Sequence, residues 1–215
     1  MVRVYIDGFN FYYGCFKFGR FGAYRWMDLA EFARRLSPND PVDHVRYFTA
    51  KVTPLPWDPD ANKRQSVYLQ ALSSLSGVTV HLGTFSKKTK SFPLASMVQC
   101  PLYGAPASNV RVKVLHSEEK GSDVNLAAYL VRDACRNEFD TAIVVSNDSD
   151  LLEAVRIVRG ELGKRVGVVM VKPKTVFAND ADFRLKLRES HFKYSQLPPT
   201  VTLASGKVIS KPATW

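Results

Sequence analysis

The residues best suited to chemistry in this 215-residue chain are carboxylates at the ends of apolar runs. "VRVYID" ends in Asp7, and "TAIVVSNDSD" carries Asp148 and Asp150. Asp123, in "EEKGSDVNLA", opens a helical pattern ahead of that second run. Carboxylates gathered in one place repel one another and cost stability unless a cation neutralises them. A cluster with oxygen ligands alone suits Mg2+ or Mn2+, which keep part of their water shell and bind phosphate oxygens. Each acid also has a structural reading. Asp7 can start an Asp-Gly turn, Asp123 is favoured by the helix macrodipole, and Asp150 with Glu153 resembles a capping box.

Whether these acids meet depends on the elements that carry them. Val2–Ile6 reads as a short strand. Asp28 caps a helix through "LAEFARRL", and residues 42–52 form a second, largely buried strand. Asp58 followed by Pro59 signals a helix start, Gly77 stops that helix, and "VTVHLGTF" is a third strand. Residues 86–109 have no period, and an inserted loop or an irregular hairpin is expected there. "VRVKVL" is a short strand leading into the helix of "EEKGSDVNLAAYLVRDACRN". "TAIVVS" is a strand, "DLLEAVRIVRGEL" a helix ended at Gly163, and "RVGVVMV" a strand. "DADFRLKLRES" is expected as a short helix and "HFKYS" as a last strand. The alternation predicts a three-layer α/β/α sandwich around a mainly parallel sheet over residues 1–194. An extension follows over 195–215, with a small hairpin at "ASGK". In such a sheet ligands sit outside the carboxyl ends of the strands, and a right-handed crossover brings Asp123 to the edge that Asp7, Asp148 and Asp150 occupy.

Thirty Lys and Arg against twenty Asp and Glu give a net charge of +10, which favours polyanionic partners, nucleic acid foremost. The Lys-rich stretch at 86–109 is a candidate contact. No apolar run approaches a membrane span, and the chain opens on "MVRVYID" without a signal-peptide pattern, so a cytoplasmic protein is expected. Three widely spaced cysteines argue against a disulfide framework and against a Cys-based zinc site. Four scattered histidines lack ligand spacing and read as structural. Phe9 stands where a haloacid-dehalogenase phosphatase needs its second aspartate. "DGFNFYYG" lacks the glycine spacing of a dinucleotide turn, and Glu153 occupies the position an EF-hand reserves for glycine.

Taken in order, "YIDGFNFYYG", "EKGSDVNLA", "VVSNDSDL" with "GKRVGVV", and the late "NDADF" resemble the NYN domains of the PIN-like ribonuclease superfamily, in particular the LabA-like (DUF88) branch. Asn147 stands where that pattern often has glycine. The resemblance implies an acidic metal site of Asp7, Asp123, Asp148 and Asp150. It also implies a phosphate- or water-holding role for Asn10, a secondary site position at Asp182, and a phosphate contact or ion pair for Lys120. Asn10 and Asp182 equally fit turn and cap roles.

The function implied is a Mg2+- or Mn2+-dependent ribonuclease acting on single-stranded RNA. Lys87, Lys88, Lys90, Arg111, Lys113, Lys120, Lys172 and Lys174 would attract the RNA backbone. Phe9, Phe11, Tyr12 and Tyr13 either stack unpaired bases or pack the core. A catalytically weak RNA-binding or regulatory module on the same fold is the alternative, and a DNA or flap nuclease a further one. RNA stands ahead of DNA as partner, no membrane is expected, and homo-oligomerisation is left open.

Overall fold

The computed structural model describes residues 1–93, 111–171 and 177–215. Its seven-stranded sheet has the order β4-β3-β2-β1-β5-β6-β7. β1 (Val2–Asp7) is flanked in parallel by β2 (Val42–Ala50) and β5 (Thr141–Val145). Both of its edges are therefore paired, and every residue of it is buried. The chain first winds outward through β3 (Val78–Pro93) and β4 (Arg111–Lys120), then returns to the other side of β1 with β5, β6 (Arg165–Met170) and β7 (Phe183–Lys186). The order thus reverses between β1 and β5, and the carboxyl ends of that pair form the topological switch point where α/β sheets bind ligands.

Side-chain alternation on β1 sorts two cores. Val2, Val4 and Ile6 pack with α2 (Leu29–Leu36) through Phe32 and with α6 (Glu189–Lys193) through Phe192. Tyr5 packs with α4 (Ser122–Cys135) through Leu126 and Leu130, and with α5 (Leu152–Arg156) through Val155. Helices therefore cover both sheet faces. Short α1 (Gly8–Phe11) runs on into a π-type turn, Tyr12–Lys17, and α3 (Ala61–Ser73) precedes β3. Residues beyond 195 fold back onto the first core. β8 (Thr200–Thr202) and β9 (Val208–Ser210) make the expected hairpin, with Leu197, Val201 and Ile209 buried. The Trp26 indole donates to the Pro198 carbonyl at 2.8 Å, and the Trp215 ring lies edge-on to Trp26. Among the described residues no helix is long and apolar enough to cross a membrane.

Several local expectations change. Of the two forms expected for residues 86–109, the described part takes the hairpin one, but as regular strand: residues 86–93 continue β3 and pair antiparallel with β4, and residues 94–110 lie outside the described residues. β3 pairs with β2 only from Val78 to Gly83, opposite Ala50 at the end of β2. Thr84–Pro93 then pairs with β4 alone, antiparallel. These ten residues make a two-stranded arm that overhangs the carboxyl edge by roughly 30 Å at strand rise. An arm wetted on both faces needs no apolar alternation, which is why its lysines hide the strand. "FRLK" is strand β7 and not helix. Its strict alternation is the period of two, and Gly167 on β6 leaves room for the Phe183 ring. "HFKYS" contributes to helix α6, not to a strand, with Phe192 fully buried against Phe11, Phe16 and Phe21. Asp60, not Asp58, precedes α3, and Asp58 instead takes two hydrogen bonds from Arg64.

Candidate active site

β1 and β5 end side by side, Ile6 opposite Val145, so Asp7 and Ser146 emerge together at the switch point. Asp7 is only 3% exposed. Its Oδ1 accepts the Asn10 backbone N–H at 3.0 Å, and its Oδ2 accepts the Ser146 hydroxyl at 2.8 Å. Ser146 Oγ in turn accepts from the Asp148 N–H at 3.0 Å, so one serine fixes both acids. Asp148 Oδ1 accepts the Asp150 N–H at 3.0 Å, which makes Asp148 the cap of the turn Ser149–Leu151. The capping expected of Asp150 thus falls to Asp148, and Asp150 is exposed. Asn10 Oδ1 accepts the Asn147 N–H at 3.2 Å, and Asn147 Oδ1 accepts the Val171 N–H at 2.9 Å. Two asparagines thereby tie together the loops after β1, β5 and β6.

Asp123 arrives from the other side of β1, in the first turn of α4, after Gly121 turns the chain at φ 98°. Only glycine reaches that left-handed conformation without strain. A further acid sits beside it. Glu119, near the end of β4, accepts the Ser122 N–H on Oε1 at 3.0 Å and lies opposite Phe85 in the arm register. A side chain on Gly83 would stand 2.6 Å from Glu119 Oε1 and 2.7 Å from the Lys120 carbonyl, so glycine lets β4 close here. Glu119 is the site residue that sequence reasoning misses. "EEK" reads as the start of α4, and only its place in a strand exposes the acid as a member of the edge.

Proximity leaves an electrostatic mark. Burial pushes Asp7 up to about 6; the hydrogen bonds from Asn10 and Ser146 resist, and the Asp148 and Glu119 charges add to the rise. Asp123 rises to about 7, through burial first and then through Asp7, Asp148, Glu119 and Asp150. Among the described residues none of these five carboxylates is ion-paired with a Lys or Arg. The donor set therefore fits a hard divalent cation in chemistry: oxygen only, crowded and unneutralised. It is not a closed cage, since no group of three or more His, Cys, Asp or Glu among the described residues is drawn tightly enough to hold an ion.

Other expected positions fall elsewhere. Asp182 lies at the opposite, amino edge, where it accepts the Val166 N–H at 2.8 Å and the Arg159 guanidinium at 2.7 Å. Burial raises its pKa, but those two partners hold it below the usual range. The cavity of about 700 Å3 beside it offers no free charge pair, because Arg156 and Arg159 are bonded to Asp180 and Asp182. Lys88 and Lys113 are exposed on the arm, Lys90 and Lys120 pair with Glu118 at 3.2 and 3.8 Å, and Arg111 bonds to Ser91. Of Lys87 only the backbone, on β3, is described, and Lys172 and Lys174 lie outside the described residues. His81 is packed between Phe48 and Tyr129, and burial followed by the Arg46 and Arg132 charges pushes it down to about 4.

The sheet is mainly parallel with acids gathered at its switch point, and the family that the chain matches has a PIN-like, nuclease-type fold. The chain belongs to the NYN domain family, whose model matches residues 1–185. Nucleases of this superfamily generally use divalent metal ions. The 6-hydroxy-3-succinoylpyridine 3-monooxygenase HspA of Pseudomonas putida is 30% identical over 188 residues, which cover 79% of this chain and 59% of that protein. The chain thus spans about three-fifths of the length of that curated relative. A solved protein of unknown function from Vibrio parahaemolyticus superposes with a TM-score of 0.52 at 20% identity, over 89% of this chain and 94% of that one. At that identity the likeness is one of fold.

Proposed function

We propose that the protein is a divalent-metal-dependent nuclease that hydrolyses phosphodiester bonds, with single-stranded RNA as substrate and Mg2+ or Mn2+ as cofactor. The observation that carries this is the convergence of Asp7, Asp123, Asp148 and Glu119 at the switch point, where the Asp148 and Glu119 charges add to the cost of ionising Asp7 and Asp123. Asp7 and Asp148, pinned by Ser146, would hold the ion from the β1–β5 side, and Asp123 and Glu119 from the α4–β4 side. A bound ion supplies Lewis acidity, polarising phosphate oxygens and making water more acidic. Asn10 keeps its Nδ2 for a phosphate oxygen while Asn147 occupies its Oδ1. Asp150, exposed beside Asp148, is an outer member. The arm's Lys88 and Lys113, within a net charge of +10, favour a polyanion over the site.

Labelled single-stranded RNA, single-stranded DNA and flap DNA, each incubated with Mn2+ or with chelator, test the reading together. RNA is expected to be cut in Mn2+ alone, and Asp148→Asn is expected to lower the rate by on the order of 10^3-fold, a loss of several kcal/mol of charge stabilisation. Full activity in chelator or in that variant refutes the proposal. Preference for DNA or flaps moves the substrate. Binding of RNA without turnover at any ion concentration supports a regulatory module instead. Glu119→Gln is expected to weaken Mn2+ binding about tenfold by calorimetry, as loss of a supporting carboxylate does.

A second reading comes from the 30% identity to the Pseudomonas protein, whose name describes the mono-oxygenation of a substituted pyridine. It requires dioxygen and two electrons from a reductant. Oxygen uptake with reduced nicotinamide and a hydroxypyridine acid would favour it.

A further inference from the structure

The segment "FNFYYGCFKF" carries more rings than its core positions use. Phe11 and Phe16 turn inward and are 2% and 6% exposed. Phe9, Tyr13 and Phe18 form a strip on the outside. Phe9 stacks on Tyr13 at 6.3 Å and Tyr13 on Phe18 at 5.7 Å, with interplanar angles of 22° and 19°. At the other end Phe9 meets Phe85 of the arm edge-on at 5.7 Å. The strip opens to solvent at its outer end, with Tyr13 38% and Phe18 78% exposed, while Phe9 and Phe85 are half-buried. Lys17 places its Nζ 5.1 Å from the centre of the Tyr13 ring and 5.5 Å from that of Phe18.

We propose that the strip Phe85–Phe9–Tyr13–Phe18 is a stacking platform for the bases of a single-stranded nucleic acid, leading the strand to the acidic edge. Its inner end is anchored there twice: Phe9 precedes Asn10 of the site, and Phe85 lies opposite Glu119 in the arm register. Phe18, at the exposed end of the near-parallel series, keeps ring surface on which an unpaired base stacks, and Lys17 beside it supplies a cation for the backbone. A duplex has its base faces occupied and gains nothing from such a strip, so the platform selects single strands. The overhanging arm stands beside it with Lys113 on the same strand face as Glu119, a further cation for the backbone. This deepens the substrate class proposed above and rests on that reading for the identity of the site.

The test is strand binding by fluorescence anisotropy in the Asp148→Asn protein, which leaves the strand intact. The probes are labelled oligouridylate, an abasic strand of equal length and a duplex. Phe18→Ala and Tyr13→Ala are expected each to weaken oligouridylate binding about tenfold and to leave abasic-strand and duplex binding unchanged. Phe18→Trp is expected to bind at least as tightly as the parent, which separates loss of a ring face from loss of fold. Equal affinity of the alanine variants and the parent for oligouridylate overturns the platform. So does an equal loss with the abasic strand, and so does capture of an apolar peptide in place of the strand. Binding is read without cleavage. A protein that stacks the strand and never cuts it therefore refutes the nuclease and keeps the platform, whereas cutting with unaffected ring variants refutes the platform alone.

Discussion

Asp7→Asn is expected to abolish cleavage and, in metal-free protein above neutral pH, to raise stability. Opposite signs from one substitution follow from the burial of Asp7 among other acids. Its pKa rises from 3.8 to about 6 on folding, with burial the leading cause. Below pH 3.8 the group is protonated in both folded and unfolded chains and costs nothing. As pH climbs, the unfolded chain ionises first, and the folded chain must then ionise a buried group beside Asp148 and Glu119. The stability present at low pH is therefore lost as pH passes through about 6, at a cost of about 3 kcal/mol once complete. Asp123 acts with the same sign, over a window reaching about 7. Asparagine keeps an oxygen for the Asn10 N–H, and the Ser146 hydroxyl rotates to meet the new amide, so the cost of charge disappears while the hydrogen bonds remain. Chemical denaturation in chelator, with wild type and variant compared at pH 4 and pH 8, measures this. The variant should gain on wild type by about 2 kcal/mol between those two values, the remainder of the cost having already set in at pH 4. Mn2+ should restore wild type and leave the variant unchanged. A variant less stable than wild type at pH 8 would show that Asp7 is already neutralised.

Asp133 makes the contrasting case, an acid whose loss should cost most of the fold and none of the chemistry. It is fully buried on α4 and accepts from Tyr5 at 2.9 Å, Arg46 at 2.6 Å, Arg3 at 3.2 Å and Arg132 at 2.7 Å. Burial raises its pKa, but the bonds from Arg132, Tyr5 and Arg46 overcome that and hold it low. Arg3 also bonds to Asp43 and Glu138, so removing Asp133 does not strip that arginine of every partner. It does leave Arg46 and the Tyr5 hydroxyl facing a void beneath the sheet. Asp133→Ala is expected to destabilise by about 3–5 kcal/mol, the usual cost of breaking a buried ion pair from one side. That is a large part of a domain's typical margin of about 5–15 kcal/mol. Urea denaturation reads it. A loss below about 1 kcal/mol, the range of exposed pairs, would mean water already reaches the cluster.

The two acids also mark where reading the sequence succeeds and where it stops. Asp7 and Asp148 each end an apolar run, and in a parallel sheet that local fact already assigns them to the carboxyl edge. Strands β1, β5 and β6 are legible for the same reason: they are largely buried and mostly apolar. Glu119 is not legible, because its membership depends on the β3–β4 register, a long-range pairing hidden by an arm that needs no apolar pattern. Asp133 resembles any acid in an amphipathic helix until Arg3, Tyr5 and Arg46 are brought beneath it by two neighbouring strands. Asp182 shows the reverse error. A late acid in a family-like motif suggests the site, yet it precedes β7 and so belongs at the amino edge. The Asp148–Asp150 pair lies between these cases. Both aspartates are near the edge, but the cap and the inward position belong to the same residue, Asp148.

The most direct measurement of the central claim is anomalous scattering from Mn2+ in crystals of this protein, collected above and below the manganese edge. One or two peaks are expected at the ends of β1 and β5, ligated by Asp7 and Asp148 with Asp123 or Glu119, and absent from Asp7→Asn crystals. Peaks only elsewhere, or none at manganese concentrations that support cleavage, would contradict it.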